Sequence, residues 1–284
     1  MNAHIRRFPA GQYPDPFLSA FTRDCIARAR DVNDGGAQFA RFHGIAVMGL
    51  ATLADSLAAL KKLVFEEKLI RLEDLLAALR SDFAGSEPLR QALLNRAPKY
   101  GNDEACVDEI AAQIVEWTAK ECLKHQVAGG GRFVSAMAAN VQNISAGREV
   151  GATPDGRHAF TPLSDAASPS FGRDLKGPTA FLHSVGTPDY HQVLTGSVIN
   201  MRFDPDHFRD EAGAQRFLTF TKYFVKARIP ELQFNFSKNE VLLAARREPE
   251  KYRNLVVRVS GFSARFVDLA PDVQEDIMRR NSHR

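Results

Sequence analysis

The chain has 284 residues, 44% hydrophobic and 25% charged, with a formal net charge of +3, an ordinary globular composition with ample length for a buried core. The basic excess is spread along the chain: its densest points, Arg246-Arg247 and Arg279-Arg280, are too short for a nucleic-acid footprint and read as solvated surface. No apolar run approaches the roughly 20 residues that span a bilayer, no hydrophobic signal region opens the N-terminus, and three cysteines without metal-type spacing fit reduced thiols in the cytoplasm.

The opening stretch, with Pro9, Gly11, Pro14 and Pro16, reads as a loop. Phe17 to Arg30 predicts a helix, stopped by Gly35-Gly36. Ile45 to Phe65 is apolar on several faces and predicts a helix buried nearly all round, emerging at Lys61, Lys62, Glu66 and Glu67. Shorter amphipathic helices follow at 72–79 and 88–94. A turn at 99–103 leads into a helix over 104–124 with Ile110, Ile114 and Trp117 on one face. After Gly129-Gly130-Gly131 the texture changes, and residues 132–178 are rich in Gly, Pro, Ser and Asp. A structureless stretch of that length inside a domain points to function or to missed elements. Strands at 198–203, 232–236 and 255–260 then alternate with helices at 212–227, 239–247 and 271–278. That order predicts parallel βα units and an α/β fold.

Familiar catalytic patterns are missing. Cys25, Cys106 and Cys122 sit on predicted helices and read as packing residues. His183 and His191 belong to no metal-ligand spacing. The triple glycine lacks the P-loop lysine and reads as a hinge, and no nucleophile elbow occurs.

Residues 254–269 stand apart. An apolar run ends at Ser260-Gly261 and resumes as Phe262-Ser263-Ala264-Arg265-Phe266-Val267. The plain reading is a hairpin whose turn needs a residue free to take positive φ. The sharper one is chemical: a glycine Cα–H lies between an amide nitrogen that donates electrons and a carbonyl that withdraws them. A radical left there by loss of a hydrogen atom is stabilised from both sides and flattens without a Cβ in the way. Val256, Val257, Val259, Phe262 and Phe266 are expected to keep that centre dry.

The segment Arg258-Val259-Ser260-Gly261-Phe262-Ser263-Ala264-Arg265-Phe266 closely resembles the signature of the pyruvate formate-lyase-like (glycyl radical) enzymes. Five further blocks, at 35–37, 54–65, 97–103, 151–157 and 177–180, resemble family segments in the family's order. The resemblance covers nearly the whole chain. It implies Gly261 as the radical store, with Arg258, Val259, Ser260, Phe262, Ser263 and Arg265 as the supporting loop. It implies the C-terminal part of a ten-stranded barrel of two parallel half-sheets, with helices outside. Residues 1–130 would belong to the helical part of the pyruvate formate-lyase-like domain and 131–284 to the glycine radical domain.

The resemblance further implies no bound metal and a radical installed by a partner activase of the S-adenosylmethionine type with an iron–sulfur cluster. Molecular oxygen would cut the chain at the radical. The family's relay cysteine lies farther upstream than this chain extends, and Cys106-Val107-Asp108-Glu109 follows Glu104-Ala105 rather than glycine, so it is rejected as that relay. The expected partners are therefore an upstream chain or domain carrying the cysteine, the activase and a small-molecule substrate, with a homodimer also considered. For the reaction, the Phe-Ser-Ala sequence after Gly261 leans away from formate acetyltransferase chemistry and toward aryl- or alkylsuccinate synthase-like addition to fumarate. The alternatives are a diol dehydratase or arylacetate decarboxylase, and a non-catalytic spare part for an oxygen-damaged enzyme.

Overall fold

Two short parallel sheets and one antiparallel hairpin, wrapped by helices, carry the fold in a computed structural model that describes residues 2–7 and 10–283. Pro9, part of the expected opening loop, lies outside the described residues. The chain begins with helix α1 (Asn2–Arg7), and α2 (Pro16–Phe21) is capped by the Asp15 carboxylate accepting from the Leu18 amide at 2.9 Å. The helix expected to reach Arg30 thus ends at Phe21, and Asp24 takes φ +72, outside the right-handed helical region.

The segment expected to be one long helix from Ile45 opens instead as strand β1 (His43–Val47), with alternating burial. Its period of two was hidden because Ile45, Ala46 and Val47 are all apolar. Gly49, at φ +83, makes the break that lets strand pass into helix α3 (Leu50–Ala59), which continues as a π-helical stretch, Leu60–Glu66. The helix is not buried all round: Leu53, Leu57 and Phe65 are exposed. Helices α4 (Leu72–Arg80) and α5 (Glu87–Asn95) follow within two residues of expectation. The long α6 (Ala105–Lys124) buries Val107, Ala111, Val115 and Ala119 against Leu50, Ala51, Ala54 and Ala58 of α3. Small side chains on both surfaces let the two axes approach closely. Trp117, expected to share a face with Ile110 and Ile114, is 66% exposed while those two are partly buried on the core.

The irregular stretch contains two missed elements, β2 (Phe133–Met137), buried throughout, and α7 (Gln142–Gly147). β2 pairs in parallel with β1, from His43 opposite Phe133 to Val47 opposite Met137, and a bridge joins Met137 to Ser197. After α8 (Gly177–Val185), β3 (Asn200–Phe203), α9 (Glu211–Lys226) and β4 (Gln233–Phe236) form the expected parallel βαβ unit. Phe203 at its centre packs on Phe208, Phe220, Phe234 and Phe236 at centroid distances of 5.0 to 5.9 Å. Helix α10 (Asn239–Arg247) matches its expected limits.

The strands β5 (Val256–Arg258) and β6 (Ser263–Arg265) form an antiparallel hairpin, followed by α11 (Pro271–Arg279). A final two-residue strand, β7 (Ser282–His283), adds to β3 in parallel and was not anticipated. Its His283 ring lies 2.9 Å from the buried Asp174 carboxylate. Among the described residues the strands make sheets of two, three and two. This chain does not by itself close a ten-stranded barrel, since no described sheet exceeds three strands and the last pair is antiparallel.

Candidate functional site

The hairpin presents Gly261 at its tip. Val256, Val257 and Arg258 pair with Arg265, Ala264 and Ser263, and the Val259 amide donates to the Phe262 carbonyl at 2.8 Å, which closes the turn around Ser260 and Gly261. Gly261 takes φ +85, where a side chain is disfavoured. A Cβ built on it would also stand 3.0 Å from Asn140 Oδ1. The geometry therefore favours glycine both for its turn conformation and for its lack of a side chain.

Alternation along β5 sends Val257 and Val259 inward, both buried with Phe266 in a small core that includes Leu242, Ala245 and Ile277. Val256 faces out at 60% exposure. Phe262 is 42% exposed, and Gly261 itself lies on the surface of this chain. The expectation that all five apolar neighbours shield the glycine is thus corrected. Three anchor the base of the hairpin, and the tip stands clear of this chain's own core.

Polar groups fix the tip. The Asn235 carboxamide on β4 bridges to β5, its oxygen accepting from the Arg258 amide and its nitrogen donating to the Arg258 carbonyl, each at 2.7 Å. The Gly261 amide donates to Gln233 Oε1 at 3.0 Å. Arg258 Nη2 donates to the Gly261 carbonyl and Nη1 to Ser263 Oγ, both at 3.3 Å. The buried Ser260 hydroxyl donates to Asp165 Oδ1 at 3.1 Å. Arg265, farther along β6, is exposed and pairs with Asp268 at 2.6 Å, so it braces the outgoing arm rather than the tip.

Beneath the hairpin lies a cluster of buried charges. Arg280 donates to the carbonyls of Val259 at 2.7 Å and Arg258 at 3.3 Å. Its own carbonyl accepts from the Arg202 guanidinium, which also donates to Asn239 at 2.6 Å. Arg280, Arg202, Asp165 and Asp276 are each at most 5% exposed. Arg280 thus faces both carboxylates, whereas the charges that act on Arg202 are those of Arg280 and Glu240. Burial pushes the Asp276 carboxyl up to about 6, with the Arg280 guanidinium 3.7 Å away pulling the other way. Asp165 is raised by burial as well, and Arg280 is lowered by the same desolvation.

Arg258, Ser260, Phe262 and Ser263 therefore lie around the tip with Gly261, while Val259 is buried in the core at the base of the hairpin. The sequence reading missed Gln233, Asn235, Asp165, Asn140 and Arg280, and placed Arg280 on the surface. Gln233 and Asn235 occupy alternate positions of one strand, so two carboxamides on a buried sheet face were the available signal. Asp276 and Arg280 are spaced i, i+4, as partners across one helical turn are.

The thiols stay apart from this site. Cys25 and Cys122 are buried, while Cys106 is exposed in the first turn of α6, which packs chiefly on α3 and β2. His183 and His191 pair with Asp103 and Asp189 as surface hydrogen-bonding residues. Among the described residues no group of three or more His, Cys, Asp or Glu could hold a metal ion, and no helix is long and apolar enough to cross a membrane.

Comparison with known proteins places these features in context. Residues 1–147 match the pyruvate formate lyase-like family model and residues 163–267 the glycine radical model. A relative from Escherichia coli K12 described as probable dehydratase YbiW is 40% identical over 95% of this chain and 34% of its own length. Isethionate sulfite-lyase of Nitratidesulfovibrio vulgaris Hildenborough is 40% identical over 83% of this chain and 29% of its own. The glycerol-bound B12-independent glycerol dehydratase of Clostridium butyricum superposes with a TM-score of 0.91 at 37% identity, covering 96% of this chain and 35% of that one. The chain thus spans about a third of the length of the relatives it matches. With one family model over more than half of its residues and the other over the Gly261 hairpin, the chain belongs to the glycyl radical enzyme family.

Proposed function

We propose that this chain supplies the radical-storing loop of a glycyl radical lyase, with the unpaired electron held on the Cα of Gly261. The observation that carries this is the hairpin tip: a left-handed glycine clear of its own core, with amide and carbonyl both hydrogen-bonded. A carbon radical supplied by an activating partner takes the Cα hydrogen atom, and a surface position lets it approach. The remaining two-thirds of the enzyme length seen in relatives would supply the relay cysteine and cover the tip during turnover.

The reaction class we favour is elimination from a small polar molecule. The relatives are described as dehydratases and a sulfite-lyase, which supports the dehydratase alternative over fumarate addition or acetyl transfer. Removing a hydrogen atom from the carbon bearing a hydroxyl lets a neighbouring leaving group depart. Return of a hydrogen atom then leaves a carbonyl product and HX, with no net oxidation.

The test combines the anaerobically activated chain with a cysteine-bearing upstream part and offers glycerol, propane-1,2-diol and isethionate. Carbonyl product from one of them, absent with Gly261→Ala, supports the reading. Turnover that survives Gly261→Ala overturns it. Restoration of an oxygen-clipped homologue in a mixing assay, without turnover of its own, would instead favour the spare-part role.

A further inference from the structure

The two hydrogen bonds on the Gly261 peptide are chemically opposite, and this has a consequence for a radical stored there. On the nitrogen side, the Gly261 N–H donates to Gln233 Oε1 at 3.0 Å, and Gln233 is 4% exposed. On the carbonyl side, a cation donates: Arg258 Nη2 lies 3.3 Å from the Gly261 oxygen. The two side chains are tied together, because Glu231 Oε1 accepts from Gln233 Nε2 and lies 3.7 Å from Arg258 Nη2. One carboxylate oxygen thus sets the positions of both.

A hydrogen-bond acceptor on an N–H raises the electron density on nitrogen and makes it a better donor into a neighbouring half-filled orbital. A cationic donor on a carbonyl lowers that group's empty π* orbital and makes it a better acceptor. Charge-assisted bonds are about twice as strong as neutral ones. Both effects draw spin off the Cα in the same push–pull sense. Neither is needed merely to shape the turn, because other groups hold it. The Arg258 backbone is fixed on both sides by Asn235, and the Val259 carbonyl by Arg280. We propose that Gln233 and Arg258, linked through Glu231, are tuning residues that stabilise the Gly261 radical by polarising its peptide from opposite ends. This rests on the assignment of the radical to Gly261. In the step concerned, the Cα–H bond breaks homolytically, the hydrogen atom passes to the carbon radical of the activating partner, and one unpaired electron stays on Gly261.

The readout is the electron paramagnetic resonance spectrum of the anaerobically activated chain, in which the splitting by the remaining Cα hydrogen scales with the spin on that carbon. Gln233→Met and Arg258→Met should widen the splitting relative to wild type and lower the radical yield by about two- to tenfold, the range set by one ordinary hydrogen bond. Arg258→Lys, which keeps a cationic donor, should return the splitting toward wild type. Arg258 is partly exposed and its backbone bonds do not depend on its side chain, so its variants keep the test open if the buried Gln233→Met fails to fold. A lower yield with unchanged splitting would mean that the pair only positions the loop, and would overturn the proposal while leaving the radical on Gly261. Absence of any signal in wild type would overturn the radical assignment itself, and the tuning with it.

Discussion

Arg280→Met tests how the buried charges hold the glycyl hairpin. The substitution removes a guanidinium that donates to two hairpin carbonyls and faces Asp165 and Asp276. Asp165 and Asp276 then lose the buried cation that offsets their charge. Breaking a buried ion pair from one side costs about 3–5 kcal/mol. In a chain of this size that lowers the thermal midpoint by about 6–10 °C.

The cost depends on pH. Asp276 already has its folded-state value raised from 3.8 to about 6 by burial, even with Arg280 favouring the charged form. A carboxyl raised on folding holds its proton more tightly in the native state. Its contribution is most favourable at low pH and is lost as pH rises through the folded value. Without Arg280 that value moves higher, so the loss deepens and extends above pH 6. The deficit of the variant should be largest near pH 8, narrow as pH falls toward 6, and change little below it, where Asp276 is protonated in both folded proteins. Part persists, because the two carbonyls stay unpaired. Melting curves across this range decide the matter. Equal midpoints at pH 8, or a deficit that grows on acidification, would refute the reasoning.

Three other outcomes follow from the same geometry. Gly261→Ala should fold with a penalty of about 1 kcal/mol in a melt, since only the left-handed φ and the Asn140 contact oppose it. Asn235→Ala removes both bonds to the Arg258 backbone. It should cost about 1–3 kcal/mol and speed amide exchange at Arg258 more than in α6. Asp108, buried beside Ser184, is raised by burial from 3.8 to about 6, so its contribution falls as pH rises from about 4 to 6, and Asp108→Asn should lessen that fall, read by denaturant titration at each pH.

How far the sequence reveals this molecule varies by element. Helices α4, α5, α9 and α10 were legible because each has one apolar stripe at helical spacing and a polar remainder. The hairpin was legible because a lone glycine interrupts two β-rich arms. β1 was hidden by its continuity with the apolar helix after Gly49, and β7 is too short to carry a pattern. Arg280 failed for a different reason. Adjacent arginines look alike in sequence, yet one backbone step at the end of a helix turns the side chain by about 100°. Arg279 is exposed and Arg280 buried. The shielding of Gly261 was misjudged because hydrophobic character shows what can be covered, whereas exposure depends on what is packed there. Val256 and Phe262 are apolar and uncovered in this chain.

The central claim is that Gly261 stores the unpaired electron. It is tested most directly by electron paramagnetic resonance of the chain co-expressed anaerobically with an activase. The account predicts a doublet from the single remaining Cα hydrogen, collapsing to one line when Gly261 alone carries deuterium, and absent in Gly261→Ala. A doublet that persists in Gly261→Ala, or no signal from the wild type beside its activase and upstream part, would contradict it.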